Sequence, residues 1–215
     1  MTDLRSLSFP ESTDPRSVLL DKIEAATVAG VDWIQIREKQ LSAKECSWLT
    51  IEALHRSAGS VVDAGARQRI IVNDRLDVAL ATQAAGVHLG ENSLPPKEAR
   101  QLAHGLRREG DFLIGVSCHS LETAKYAERG GADYLFFGPV FETPSKAAYG
   151  PPQGLNSLAE VCRSVSIPVL AIGGITLANG AACFSAGASG IAAIRLFQDS
   201  GDLAALVQAL RKAAA

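Results

Sequence analysis

An α/β fold, a single (β/α)8 TIM barrel over residues 1–215, is what two features of the chain predict. Short apolar runs alternate with longer stretches of helical spacing throughout, as parallel strands crossed by helices require. Polar residues also gather just after the apolar runs, at the strand ends where parallel barrels carry their chemistry. A length of 215 residues with 47% hydrophobic content suits one such domain with a substantial core. A doubly wound open sheet is the alternative, but the Gly173-Gly174 turn lacks the GxGxxG spacing of a dinucleotide site.

Residues 1–15 read as irregular or as one weak strand around Leu4 to Phe9, followed by ESTDP, a turn and helix start. Apolar spacing predicts a helix from Arg16 to Ala29, closed by Gly30. VDWIQIREK then alternates, with Trp33, Gln35, Arg37 and Lys39 on one face and Ile34 and Ile36 on the other. Buried glutamine, arginine and lysine are costly unless paired, so that polar face is expected to line a wet, anion-binding cavity. A helix from about Ser42 to Ala64 opens with Ser42 and Glu45 in capping-box spacing. The β-branched strand Ile70 to Val72 follows, with Asn73 and Asp74 at its carboxyl end. Asp74 serves there either as a ligand or as N-cap of the helix Arg75 to Ala84, and both roles stay open.

GVHLG, Gly86 to Gly90, is a short strand with His88 at its middle, a position that suits a packed, hydrogen-bonded core histidine better than a ligand. ENSLPP starts a helix to about Arg108. The remaining strands are Phe112 to Ser117, Tyr134 to Gly138, PVLAIGG and GIAAIRL. Helices fall between them, one ending at Gly130-Gly131, then about Leu155 to Val165 and Leu177 to Ala186, with a last helix from Leu203 to Ala214. Tyr134 to Gly138 is apolar enough to be buried on both faces, and the loop after it, running to Lys146, offers Thr143, Ser145 and Lys146. That loop is either an anion site or a solvated turn with a surface lysine.

A net charge of −2 leaves no basic field for nucleic acid or anionic membrane, so any anion must be held by a local cluster, and the partners expected are small molecules. No apolar leader or membrane-length run is evident, which makes a cytoplasmic enzyme the expectation. The four cysteines, Cys46, Cys118, Cys162 and Cys183, form no CxxC pair and read as reduced, buried thiols without disulfide or zinc. Cys118 and His119 are adjacent on a strand, pointing to opposite faces, which argues against a nucleophile–base dyad. In a barrel, Gln35, Arg37, Lys39, Asn73, Asp74, Ser117, Thr143 to Lys146 and the backbone after Gly173 share one mouth, suited to a diphosphate with Mg2+ on Asp74. Gly173-Gly174 and the strand end at Ile194 occupy the place where barrels hold a monophosphate, so two phosphorylated substrates are expected.

QIREK, IVNDRLDVAL, GVHLG, GVSCHS, FGPVFETPSK, QGL and AIGGI, in that order, resemble the thiamine phosphate synthase and thiazole tautomerase superfamily over nearly the whole chain. The resemblance implies a magnesium-dependent synthase that joins a hydroxymethyl-aminopyrimidine diphosphate to a thiazole phosphate through a pyrimidine cation. It places Gln35 on the pyrimidine, Arg37, Lys39, Asn73, Ser117 and Lys146 on the diphosphate, and Asp74 on the metal. Thr143 and Ser145 would lie by the thiazole phosphate, with Gly174 and the backbone near Ile194 and Arg195 donating N–H groups. The chain departs from the family pattern in three places. Ser93, in Gly90-Glu91-Asn92-Ser93, stands where the synthases carry a second metal-binding aspartate, leaving Glu91 as the nearby carboxylate. Arg195 replaces a serine, and the opening YxITD strand is missing. A thiazole tautomerase, with His119 as its histidine, and a non-catalytic binder of thiamine phosphates remain as further readings. The sequence leaves oligomeric state open, a homodimer being one state it admits.

Overall fold

The computed structural model of the chain describes residues 1–7, 13–59, 69–106, 112–143 and 151–214. Seven strands, β1 (Trp33–Ile36), β2 (Arg69–Asn73), β3 (Gly86–Leu89), β4 (Leu113–Cys118), β5 (Tyr134–Phe137), β6 (Val169–Ile172) and β7 (Gly190–Ala192), follow chain order in the sheet. Helices separate them: α1 (Pro15–Val28), α2 (Ala43–Gly59), α3 (Leu76–Ala81), α4 (Pro96–Leu106), α5 (Leu121–Arg129), α6 (Gly154–Ser164) and α7 (Leu177–Ser185). The short α8 (Arg195–Gln198) and α9 (Leu203–Ala214) complete the chain. The fold is therefore α/β with strand and helix in alternation, as expected. The helix ends expected at Ala64 and Arg108 lie outside the described residues.

Two compact units divide the chain, Met1–Val87 with Ile194–Gln208, and His88–Ala193 with Ala209–Ala215. In the first, β1 and β2 pair in parallel, Gln35 opposite Ile71 and Ile36 opposite Val72. Leu19, Leu20 and Ile23 of α1, Leu49 and Ala53 of α2, and Ile36, Ile70 and Val72 of the strands are all buried. The capping box at Ser42 and Glu45 is formed in both directions: Ser42 N–H donates to the carboxylate and Glu45 N–H to the hydroxyl.

The weak strand expected at Leu4 to Phe9 is a single 3-10 turn, Leu4–Ser6, over its described part. Asp3 decides this, because its side chain accepts from Arg5 N–H and its carbonyl from Ser6, tying the backbone into a local turn before it can extend. The opening segment still lies along β1, where Thr2 N–H donates to Gln35 O and Arg37 N–H to Thr2 Oγ1.

In the second unit β4, β5, β6 and β7 pair in parallel, Ser117 opposite Phe136 and Phe137 opposite Ala171. All four residues of β5 are buried, so the apolar run Tyr134–Phe137 is covered on both faces, as its composition predicts. Capping boxes at Ser120/Thr123 and Thr176/Asn179 start α5 and α7. The last strand is shorter than GIAAIRL suggests: it stops at Ala192, and Arg195 opens a helical turn in place of strand. No helix among the described residues is long and apolar enough to cross a membrane.

Candidate active site

The first unit holds Gln35, Arg37, Lys39, Asn73 and Asp74 among the expected residues. β1 ends at Ile36, so Gln35 is the last residue of the polar face still held by the strand, and it is only 5% exposed. Its Nε2 donates to Asn73 Oδ1 on the neighbouring β2 at 3.3 Å, while its Oε1 is buried without a partner among the described residues. An open acceptor in a buried amide costs stability, on the order of 1–3 kcal/mol, unless a ligand donates to it. Arg37 is half-buried and Lys39 exposed in a turn beyond the strand, which corrects the expectation that both share the face of β1. Neither is ion-paired among the described residues, so both positive charges are available to an anion.

Glu38, between them, was not singled out by the sequence reading. It is 6% exposed, accepting from Leu4 N–H at 2.9 Å and Gln40 Nε2 at 3.0 Å, with its second oxygen unpartnered among the described residues. A carboxylate between two cations just past a strand end is the signal that could have found it. It anchors the opening segment.

Asp74 is not the N-cap of the following helix. That position belongs to Arg75, which makes no side-chain cap and instead grips Asp77 through two hydrogen bonds of 2.9 and 2.6 Å. The same fork holds the Asp77 carboxyl below its usual range. Asp74 itself adopts φ 64°, the left-handed conformation that non-glycine residues occupy at a cost and that functional positions collect. Its exposed carboxylate has no hydrogen bond among the described residues.

The second unit holds Ser117, His119, Thr143 and Gly174 among the expected residues. Ser117 lies near the end of β4 and its Oγ is 2.8 Å from His88 Nε2. His88 is, as its setting predicts, a packed residue: it is 2% exposed, and its Nδ1 lies 3.1 Å from Tyr134 Oη. Cys118, beside them, is fully buried, and burial pushes its thiol up to about 12, the opposite of an activated nucleophile. His119 Nδ1 meets Gly138 O, and since a carbonyl only accepts, Nδ1 carries the hydrogen and Nε2 the lone pair in the neutral ring.

Glu91 accepts from His119 N–H at 3.0 Å and Ser93 Oγ from Gly90 N–H at 2.8 Å, so of the two candidates for a second metal ligand Glu91 holds the backbone just past β4 and Ser93 that of its own loop. Past β5, Val140 and Phe141 N–H donate to Ile172 O and Gly173 O, joining that loop to the end of β6. Gly173 and Gly174 have φ 92° and 66°, and a Cβ on Gly174 would come 2.5 Å from Glu142 O, so the turn admits glycine alone. Thr143 is half-buried; Ser145 and Lys146 lie outside the described residues. Ile194 is the N-cap of α8 and Arg195 is exposed on it.

With these groups in view, the comparisons with known proteins decide the family. The family model described as thiamine monophosphate synthase matches residues 10–197. The chain belongs to that family. It is 45% identical over 186 residues to the thiamine-phosphate synthase of Methanocella arvoryzae, covering 86% of this chain and 82% of that one. With the thiamine-phosphate synthase of Chloroflexus aurantiacus the identity is 42% over 191 residues, covering 88% and 82%. A solved structure titled thiamine phosphate pyrophosphorylase from Pyrococcus furiosus superposes with a TM-score of 0.78 at 33% identity, covering 91% of this chain and 88% of that one.

Proposed function

We propose that this chain condenses hydroxymethyl-aminopyrimidine diphosphate with hydroxyethyl-methylthiazole phosphate, giving thiamine phosphate and diphosphate. The observation that carries the reading is identity above 40% to chains named thiamine-phosphate synthase over more than four fifths of the length. In this reaction the carbon–oxygen bond to diphosphate breaks, and the thiazole nitrogen fills the empty orbital of the resulting pyrimidine cation. Stabilising the departing charge is the main task.

Arg37 and Lys39, uncommitted to any carboxylate among the described residues, supply that charge, joined by Asn73, Ser117 and Lys146. The open Oε1 of Gln35 accepts from the exocyclic amine of the pyrimidine, satisfying the buried atom that the free protein leaves unpaired. Thr143, Ser145, Gly174 and the backbone at Ile194 and Arg195 take the thiazole phosphate.

The free carboxylate of Asp74 fits Mg2+, which in phosphate sites is held by one or two carboxylates together with substrate oxygens. When bound, Mg2+ supplies Lewis-acid neutralisation of the diphosphate. Ser93 Oγ and Glu91 Oε1 each already accept from a backbone N–H, so Asp74 would be the main protein ligand to such an ion, with substrate oxygens supplying others. We read the chain as one cytoplasmic (β/α)8-type domain acting on small phosphorylated molecules, and as a homodimer. Relatives named as synthases place the tautomerase reading, which rests on His119, second.

An assay with both substrates, with and without Mg2+, tests the proposal: thiamine phosphate is expected only with the metal, and its absence at saturating substrates and metal refutes it. Ser93→Asp should lower the Mg2+ needed for half-maximal rate severalfold, and an unchanged midpoint would remove Ser93 from the metal.

A further inference from the structure

The contacts of His88 go beyond those of a core residue. Its ring lies 4.1 Å from that of Phe136, centroid to centroid, which fixes the ring plane, and both nitrogens face hydroxyls, Tyr134 on one side and Ser117 on the other. Tyr134 reaches it because its register partner on β4 is Gly115, where a Cβ would sit 2.0 Å from Tyr134 Cζ. A missing side chain on β4 is thus the space in which a phenol from β5 crosses to an imidazole on β3.

The line has a direction. A neutral imidazole has one N–H, so one nitrogen donates and the other accepts. A phenol is the stronger acid and better donor of the two hydroxyls, and a serine oxygen the better acceptor. Burial reinforces this by raising the pKa of Tyr134, keeping its proton in place. Tyr134 O–H therefore donates to Nδ1, and Nε2–H donates to Ser117 Oγ. Having accepted there, Ser117 keeps its own proton for a third group. In the opposite orientation that proton would be spent on Nε2.

We propose that His88, backed by Tyr134, is a positioning residue that turns the Ser117 hydroxyl into a fixed donor toward the diphosphate oxygens of the substrate. The proposal rests on the assignment of Ser117 to diphosphate made above. An anionic oxygen only accepts, so a serine with its donor already directed outward needs no reorientation as charge develops.

Two measurements test it. Nitrogen-15 spectra of the free wild-type protein should show His88 neutral with the proton on Nε2; a proton on Nδ1 overturns the proposal. In kinetics, Tyr134→Phe should lower kcat/KM for the pyrimidine diphosphate about tenfold and leave KM for the thiazole phosphate unchanged. The same change in a Ser117→Ala background should cost less than twofold, and equal losses in both backgrounds overturn the coupling. His88→Gln, whose amide N–H stands near Nε2, should retain more activity than His88→Asn, whose amide matches Nδ1; the reverse order counts against the relay. Ser117→Ala at the wild-type rate would remove Ser117 from the diphosphate and take the proposal with it. An impaired Ser117→Ala combined with the Nδ1 tautomer would refute the relay alone, leaving that assignment standing.

Discussion

The two units build their strand ends in opposite ways. At β1 and β2 the groups are charged or unsatisfied: Arg37 and Lys39 without carboxylate partners and Asp74 in a left-handed conformation, with Gln35 and Glu38 each burying one oxygen that no described group meets. At β3, β4 and β5 the side chains are already hydrogen-bonded, as in the uncharged line Tyr134–His88–Ser117, in His119–Gly138 and in Glu91 on His119 N–H. Open charge is expensive in the free protein but gives a polyanion its binding energy, whereas a satisfied neutral network costs little and holds geometry. The first arrangement suits binding and charge stabilisation, and the second suits orientation.

Substitutions should therefore separate activity from stability in the first unit and join them in the second. The largest expected effect is at Arg37. Arg37→Ala should lower kcat/KM by about two to three orders of magnitude, the loss typical of a group that stabilises transition-state charge, with little change in unfolding temperature. A variant that melts early in step with its lost rate would make Arg37 a structural cation.

Gly115→Ala should destabilise the second unit by about 1–3 kcal/mol, because the Tyr134 ring fills the space a methyl would enter. Denaturant titration measures this, and an unaffected midpoint would show that the ring has somewhere else to go. Gln35→Met goes the other way. It removes a buried oxygen without a partner, so stability should hold or rise by up to about 1 kcal/mol while activity falls at least tenfold. Loss of stability and activity together would mean that the amide is satisfied in the free protein.

The smallest effect concerns alkaline pH. Burial raises the Cys118 thiol from its ordinary value near 9 to about 12, so its contribution to stability is whole below pH 9 and is lost as pH climbs toward 12. Cys118→Ala should flatten the decline of unfolding temperature over that interval, and an unchanged slope would assign it to other groups.

Much of this molecule follows from local pattern. The period-2 run at Trp33–Ile36, the apolar run of β5 and the capping residues Ser42, Ser120 and Thr176 each act through near neighbours, and strands, helix starts and the polar strand ends were legible from them. Where local chemistry competed, the outcome departed from pattern: Asp3 folded the opening segment into a turn, and of the two roles open to Asp74 the cap of α3 falls to Arg75, with Asp74 itself in a left-handed conformation. Family motifs named Gln35, Asn73, Asp74 and Ser117 as a set, though not their contacts.

Tertiary structure alone decided those contacts. That His88 binds Ser117, that Tyr134 stands behind it, and that Gly115 makes the room depend on parallel register, which pairs residues distant in sequence. So does the fate of Glu38, an acidic residue between two cations that composition places at the surface and the fold buries against Leu4 N–H. Periodicity reports which face a residue takes; the partner across from it, and hence its proton, is set by register and by the space that neighbouring side chains leave.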